Sequence, residues 1–133
     1  MTSPFHQGEL AVQARAGVAE QAKRVGRIIG DRLPEGADKF LAGLPILFRG
    51  GLDARGRVWA SVLTGNPGFI RAVGDRGVVI KTDGQAGDPL VAGGDTIAPA
   101  GFLAIDLATR QRFRFNGQAR QEGDELRIDV EQA

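Results

Sequence analysis

The sequence contains no cysteine and no tyrosine, and its only histidine is His6. The absence of cysteine excludes disulfides, thiolate metal sites and cysteine nucleophiles within these 133 residues. A single histidine cannot build a two-histidine metal site, and we interpret His6 as a surface or packing residue. The absence of tyrosine removes the phenol donor that many active sites use. We therefore expect any chemistry performed by this chain to come from a bound cofactor.

Strong charge and long apolar runs are also missing. The net charge is +1, so there is no bulk electrostatic field to attract nucleic acid or a membrane surface, and we expect neither as a partner. No apolar run approaches the length needed to cross a bilayer. Residues 1–6 lack the basic region and apolar stretch of a signal peptide. We expect a soluble cytoplasmic protein that folds as one globular unit.

Several catalytic motifs are absent as well. No glycine fingerprint for a dinucleotide links a strand to a helix, and residues 80–82 lack the upstream glycines of a phosphate loop. No serine has the surroundings of a nucleophile elbow. The aspartates that could form an acid–base pair are scattered among turns and strand ends: Asp83, Asp88, Asp95 and Asp106. No metal site or catalytic residue is predicted from the sequence.

The first part of the chain has a helical pattern. Residues 8–33 carry an apolar stripe at spacings of three and four, formed by Leu10, Ala14, Val18, Ala22, Val25 and Ile29. Pro34 is expected to end this helix, because the residue before a proline is disfavoured in helical conformation. A second short helix is predicted at about residues 35–43. We interpret the first helix as a lid on the core of the domain.

From Leu44 onward the pattern changes to short strands separated by turns. The predicted strands are residues 45–52, 57–64, 69–73, 78–82, 102–107, 111–120 and 125–130. Tight turns are predicted at 53–56, 74–77 and 122–124, with a turn-rich connection at 84–100. Closely spaced strands with short turns favour an antiparallel barrel or sandwich.

Residues 109–117 combine charge with strand alternation. In an extended strand one face would carry the polar set Arg110, Arg112, Arg114 and Asn116, and the other face Gln111, Phe113 and Phe115. Three guanidinium groups on one face repel one another unless solvent or an anion compensates them. Phosphate suits this role, because the planar arginine fork binds it through two parallel hydrogen bonds. The alternative interpretation is the solvated outer face of a half-buried strand.

Three segments together resemble the flavin-binding split-barrel family related to pyridoxamine 5'-phosphate oxidase: residues 52–69, residues 87–90, and residues 101–107 running into 109–117. Residues 4–10 with the following helix resemble the N-terminal extension of one uncharacterised branch of that family. The resemblance implies a mainly β (α+β) fold, a six-stranded antiparallel split barrel with an N-terminal helix. It implies helices in residues 1–43 packed on an FMN-binding barrel at 44–133, and a homodimer with the flavin between protomers.

The resemblance also implies a set of cofactor-binding residues. The strand after the first hairpin turn, the end of the next strand pair and the arginine-bearing strand would supply Ser61, Val62, Leu63, Thr64, Asn66, Lys81, Thr82, Arg110, Gln111 and Arg112. FMN phosphate needs cationic donors and hydroxyls, which this set contains. Ser61 and Thr64 have opposite strand parity, so both reach one ligand only if the strand twists or ends near Leu63.

The function implied by the resemblance is a flavin-dependent oxidoreductase of unknown substrate, with NAD(P)H or another electron donor as partner. Two alternatives stay open: a binding module that carries flavin or another phosphorylated ligand without turnover, and a structural dimer with a vestigial pocket. The pattern by which the oxidase itself binds its substrate is not visible, so we do not expect that enzyme. Related chains continue past the position of Ala133 into a segment with a cysteine.

Overall fold

The computed structural model describes residues 3–82, 87–90 and 96–133. The chain divides into two compact units, Met1–Gly30 and Asp31–Ala133. Within the described ranges, no helix combines the length and the apolar character needed to span a bilayer.

The first unit contains two short helices, α1 (Gln7–Arg15) and α2 (Ala19–Gly26). His6 is the N-cap of α1: its Nδ1 accepts hydrogen bonds from the backbone N–H groups of Gly8 and Glu9, at 3.0 and 3.3 Å. The Glu9 carboxylate accepts in return from the His6 N–H at 2.9 Å. This reciprocal pair satisfies donors that the first helical turn leaves open. His6 therefore has a local structural role.

The prediction of one helix over residues 8–33 was wrong. Gly17 adopts φ +71°, the left-handed conformation that glycine enters without steric cost. Its N–H donates to the Ala14 carbonyl at 3.1 Å, and the Val18 N–H donates to the Gln13 carbonyl at 3.0 Å. These two bonds form a Schellman motif, which ends α1 and starts the chain in a new direction. The prediction failed because the apolar spacing is the same on both sides of Gly17, although the helix ends at this residue.

The second unit consists of one short helix and one sheet. Helix α3 (Ala37–Ala42) lies within the predicted range of 35–43. The strands are β1 (Ile46–Leu52), β2 (Val58–Thr64), β3 (Ile70–Val73), β4 (Gly77–Lys81), β5 (Ala98–Ile105), β6 (Arg112–Glu122) and β7 (Glu125–Gln132). All neighbouring pairs are antiparallel, in the order β2-β1-β5-β6-β7-β4-β3.

The mainly antiparallel β fold is confirmed, but the expected six-stranded split barrel is not found: the sheet has seven strands and is not closed. The four residues of β3 pair with β4, and among the described residues no ladder joins β3 to the other edge strand, β2. The sheet nevertheless curls, because Leu63 of β2 and Ile70 of β3 belong to one buried cluster. The inner side of this curled sheet holds the core of the second unit.

The inner face is filled by aliphatic and aromatic side chains. Phe102 of β5 stacks on Phe115 of β6 with ring centroids 4.9 Å apart, and Phe113 contacts Phe40 of α3 at 5.6 Å. Leu41 and Leu47 are completely buried in the same cluster. Inner and outer positions alternate along every strand, so this packing also fixes which side chains face outward.

The connection predicted at 84–100 corresponds only in part to the structure. β5 begins at Ala98, four residues before its predicted start at 102, because residues 98–101 pair with residues 116–119 of β6. Alanine, proline and glycine favour strands weakly, so cross-strand pairing decides this boundary. Asp83 and Asp95, and residues 84–86 and 91–95 of the predicted connection, lie outside the described residues.

Candidate functional site

The arginine-bearing strand alternates as predicted from its start at Arg112. Arg112, Arg114 and Asn116 are exposed on the outer face, whereas Phe113 and Phe115 face the core. Arg110 differs from the prediction, because it has φ +61° and precedes β6 in a turn, where its N–H donates to the Asp106 carbonyl at 2.8 Å. The outer face of the strand therefore carries two of the three expected arginines, with Arg110 beside its start.

These arginines differ from others of the same unit in having no carboxylate partner. Ion pairs with aspartate or glutamate are formed by Arg32, Arg57, Arg71, Arg76, Arg120 and Arg127. The side chains of Arg110, Arg112 and Arg114 make no hydrogen bond or ion pair with any residue of the described ranges. Guanidinium groups without a carboxylate partner favour an anion, and we call Arg110, Arg112 and Arg114 the arginine patch, although the whole chain is nearly neutral.

An open groove lies beside this patch. Its volume is about 230 Å³, and it is lined by Pro34, Glu35, Gly36, Ala37, Phe40, Gln111, Arg112 and Phe113. Two of the predicted cofactor-binding residues, Gln111 and Arg112, thus share one concave surface with the apolar rings of Phe40 and Phe113. Arg112 supplies one cation and Glu35 one carboxylate to this lining, beside apolar side chains.

A second group of predicted site residues meets around Phe69. The Lys81 N–H donates to the Phe69 carbonyl at 2.8 Å, and the Phe69 N–H donates to the Asn66 carbonyl at 3.0 Å. The Phe69 ring lies over Gly65, where an added Cβ would come within 2.6 Å of it. Thr64, Asn66, Lys81 and Thr82 are therefore brought to one corner of the sheet, which we call the Phe69 corner.

The outer face connects this corner to the arginine patch. Thr64 pairs with Ile46 of β1, and Ile105 of β5 pairs with Arg112. The β1–β5 ladder ends at the pair Phe48–Leu103, and continuing its register by two residues places Ile46 opposite Ile105, in line with Thr64 and Arg112. Three strand spacings separate Thr64 from Arg112, about 14 Å. The row has a hydroxyl at one end, aliphatic side chains in the middle and a guanidinium at the other end.

The remaining predicted residues of β2 are divided between the two faces. Val62 lies on the outer face and is 39% exposed, whereas Leu63 is buried in the core. Ser61 also lies on the inner face, because it has the same parity as Leu63. Ser61 and Thr64 thus point to opposite sides of the sheet.

Ser61 belongs to a polar cluster that sequence reasoning did not identify. Its hydroxyl donates to Asp88, and its cross-strand partner is Arg49. Arg49 Nη1 donates to the Leu90 carbonyl at 3.2 Å. Burial lowers the pKa of Arg49, and the nearby charge of Asp88 opposes that shift. An arginine at an inward position of an otherwise apolar strand is the signal that could have indicated this cluster.

Among the described residues, no group of three or more histidine, aspartate or glutamate side chains could hold a metal ion. The site candidates are therefore the arginine patch with its groove, the Phe69 corner and the Arg49 cluster.

Neither a protein-family model nor a curated protein matches the chain. One similar solved structure is a Lactobacillus delbrueckii protein provisionally assigned as a pyridoxamine 5'-phosphate oxidase: it is 14% identical, with a TM-score of 0.49, over 77% of this chain and 93% of that one. A variant of HupZ from Group A Streptococcus is also 14% identical, with a TM-score of 0.49, over 74% of this chain and 95% of that one. Similarity at this level assigns neither family nor function.

Proposed function

We propose that this chain binds FMN on the outer face of its sheet and acts as a flavin-dependent oxidoreductase. The observation that carries the proposal is the arginine patch: Arg110, Arg112 and Arg114 have no carboxylate partner in the described part of the chain. A phosphate monoester is largely dianionic at neutral pH, and a guanidinium fork binds it with directed, charge-assisted hydrogen bonds.

Arg112 suits the phosphate best, because it lies on the outer face and also lines the groove. From there the row of Ile105 and Ile46 offers an apolar surface to a flat ring, and Thr64 offers a hydroxyl at its far end. Lys81 Nζ lies beside the Phe69 corner, largely exposed and 4.0 Å from an Asp124 carboxylate oxygen, and would add a second cation near that end. The residues present thus fit a long ligand with one anionic end.

A bound flavin supplies the electron-transfer chemistry. The residues of this chain would position it: Arg112 would hold the phosphate, and the aliphatic row would exclude water from one side of the ring. The carrier alternative predicts the same binding and no turnover. NAD(P)H-dependent bleaching of the bound flavin distinguishes the two, because a carrier would keep its colour in the presence of NAD(P)H.

A second copy of this chain is the partner that we propose for the outer face. Val58, Leu52 and Val62 are exposed there by 80%, 41% and 39%. Val62, Phe48, Leu103 and Arg114 form a row across β2, β1, β5 and β6. Exposed apolar patches of this kind mark interaction surfaces, and a small domain gains stability by burying one. Pairing two copies would cover the flavin on its open side.

The proposal is tested by comparing FMN and riboflavin binding in Arg112→Ala and wild type. Loss of a charge-assisted hydrogen bond to phosphate costs about 1.5–3 kcal/mol, so FMN should dissociate from the variant with a constant about ten- to a hundredfold higher. Riboflavin lacks the phosphate and should bind both proteins equally. Arg112→Lys should recover part of the loss, because it keeps the charge but not the fork. Quenching of flavin fluorescence measures all of these constants.

The matched control is Arg120→Ala, which removes an exposed arginine of the same strand that is paired with Glu122. Its FMN affinity should remain that of wild type. Equal FMN affinity in wild type and Arg112→Ala would reject Arg112 as the phosphate ligand. Absence of FMN binding by the wild-type chain would reject the proposed function itself.

A further inference from the structure

The inner face of the sheet carries an arginine with an unused donor. Arg49 lies on β1 opposite Ser61 on one side and Phe102 on the other. Its Nη1 donates to the Leu90 carbonyl, but its Nε is buried and has no hydrogen-bond partner. A buried donor without an acceptor is costly, so its presence in a native fold calls for an explanation, and a bound ion is one.

The chemistry of the free donor points to an oxyanion. Nε and Nη2 form the edge of a guanidinium that binds a carboxylate or phosphate through two parallel bonds. Within the described ranges, no carboxylate lies within ion-pair distance of Arg49. The hydroxyl of Ser61 is beside it across the strand pair. The N–H groups of the guanidinium edge and the O–H of the neighbouring hydroxyl can all donate hydrogen bonds to one bound anion.

The segment of residues 87–90, which we call the strap, covers this donor set. Asp88 accepts one hydrogen bond from the Ser61 hydroxyl and one from the Leu90 N–H, the latter at 2.8 Å. The Leu90 side chain is buried against Gly51, where an added Cβ would lie 3.4 Å from it. The strap therefore places its own carboxylate on the hydroxyl that an external oxyanion would use.

We propose that Arg49 and Ser61 form an oxyanion-binding site that the strap closes, with Asp88 as an internal anion that a carboxylate or phosphate displaces. The site lies on the opposite sheet face from Arg112 and is independent of the proposed flavin site. It would take a small anion, because the inner face beyond Arg49 is occupied by Phe102 and Leu47 of the core.

Trp59 provides a local probe for this site. It is the only tryptophan of the chain, it lies on the same face as Ser61, and it pairs with Gly51, which contacts the strap. Wild type and Asp88→Asn are titrated with inorganic phosphate and separately with acetate, at ionic strength held constant with sodium chloride. The Asp88→Asn substitution removes the charge but keeps an oxygen that can accept from the Leu90 N–H, so the turn of the strap is preserved.

We expect a saturable change in Trp59 fluorescence, with binding about tenfold tighter in Asp88→Asn, because a like charge next to the anion is removed. The anion that binds more tightly identifies the class of ligand. In the Asp88→Asn background, Arg49→Lys should weaken binding about ten- to a hundredfold, because the fork is lost. Ser61→Ala, which leaves the buried arginine in place, should weaken it to a smaller extent.

Arg112→Ala in the same background is the matched control and should leave the Trp59 response unchanged. No saturable response in Asp88→Asn would overturn the proposal, as would a response that survives both Arg49→Lys and Ser61→Ala. A response lost in Arg112→Ala alone would assign phosphate to the outer face, leaving the flavin proposal standing and this one rejected. Circular dichroism shows whether each variant is folded.

Discussion

At the residue scale, Asp53 shows how one carboxylate organises a hairpin. Its Oδ1 accepts from the N–H groups of Arg55 and Arg57, and its Oδ2 accepts from Arg57 Nε at 2.7 Å and Trp59 Nε1 at 3.0 Å. The Arg57 guanidinium also lies 5.7 Å from the centre of the indole ring. The side chain of Asp53 is only 6% exposed. These donors, led by the Arg57 N–H, hold the pKa of Asp53 well below its usual range.

Acid should therefore weaken the fold through Asp53. A carboxyl whose pKa is lower in the folded than in the unfolded state stabilises the protein above the unfolded value, about pH 4, and loses this effect as the pH falls towards the folded value. Asp53→Asn should be less stable than wild type at pH 7 and should lose less stability below pH 4. Urea unfolding from pH 7 to pH 2.5, followed by circular dichroism, measures both effects.

The control for this experiment is Asp129→Asn, since the Asp129 carboxylate has no hydrogen bond or ion pair with the described residues. This variant should keep the acid dependence of wild type. The interpretation fails if Asp53→Asn and wild type lose stability in parallel below pH 4.

At the scale of elements, Gly117 allows the backbones of β6 and β7 to approach closely at a register shift. The register shifts between Asn116 and Gly117, so that one residue of β7, Glu131, has no direct partner. A Cβ at Gly117 would lie 1.9 Å from the backbone oxygen of Asp129. Only glycine allows the two backbones to approach this closely, and a bulge of this kind increases the local bend of the sheet.

Gly117→Ala should destabilise the protein by at least about 1–3 kcal/mol, because the clash involves backbone that cannot rotate away. The matched control is Gly101→Ala on β5, where an added Cβ meets nothing within 4 Å. That variant should be neutral, or more stable by up to about 1 kcal/mol, as alanine loses less conformational entropy in a strand. Urea midpoints compare the two. Equal stability of both variants would contradict the close contact between β6 and β7.

At the scale of the whole molecule, the question is whether the outer face of β2, β1 and β5 stays exposed to solvent or forms the proposed dimer interface. A dimer interface built from aromatic side chains would draw on Trp59, Phe113 and Phe115 of β2 and β6. The structure places all three on the inner face, and Phe115 is fully buried. Trp59 is 41% exposed, whereas the exposed apolar side chains of the outer face are aliphatic, with Val58 and Val62 among them.

We expect wild type to have the mass of a dimer in light scattering at micromolar concentration. Val62→Lys should raise the dissociation constant at least about tenfold, because a charge in the centre of an apolar interface must be desolvated. Val73→Lys is the control, since Val73 is 50% exposed on the edge strand β3, away from this face. A wild-type chain that stays monomeric, or an equal effect of both variants, would exclude an interface on this face.

Local features of this protein could be predicted from its sequence. Three features depend only on neighbours a few positions apart: the turn at residues 53–56, the alternation of arginine and phenylalanine along β6, and the short helix before β1. The residue types in each segment are therefore enough to predict them. Gly17 shows that apolar periodicity does not suffice even at short range. The apolar stripe predicted one helix across Gly17, but this residue is left-handed and the helix ends there.

The tertiary structure decided what depends on distant residues. β5 begins at Ala98 because β6 pairs with it, and the curled, open sheet brings Lys81 to Phe69 and aligns Thr64 with Arg112. Arg49, Ser61 and Asp88 come together from positions far apart in the chain. The pattern of a strand determines which side chains share a face, but only pairing between strands determines which faces meet, because register and strand order are properties of the packed sheet.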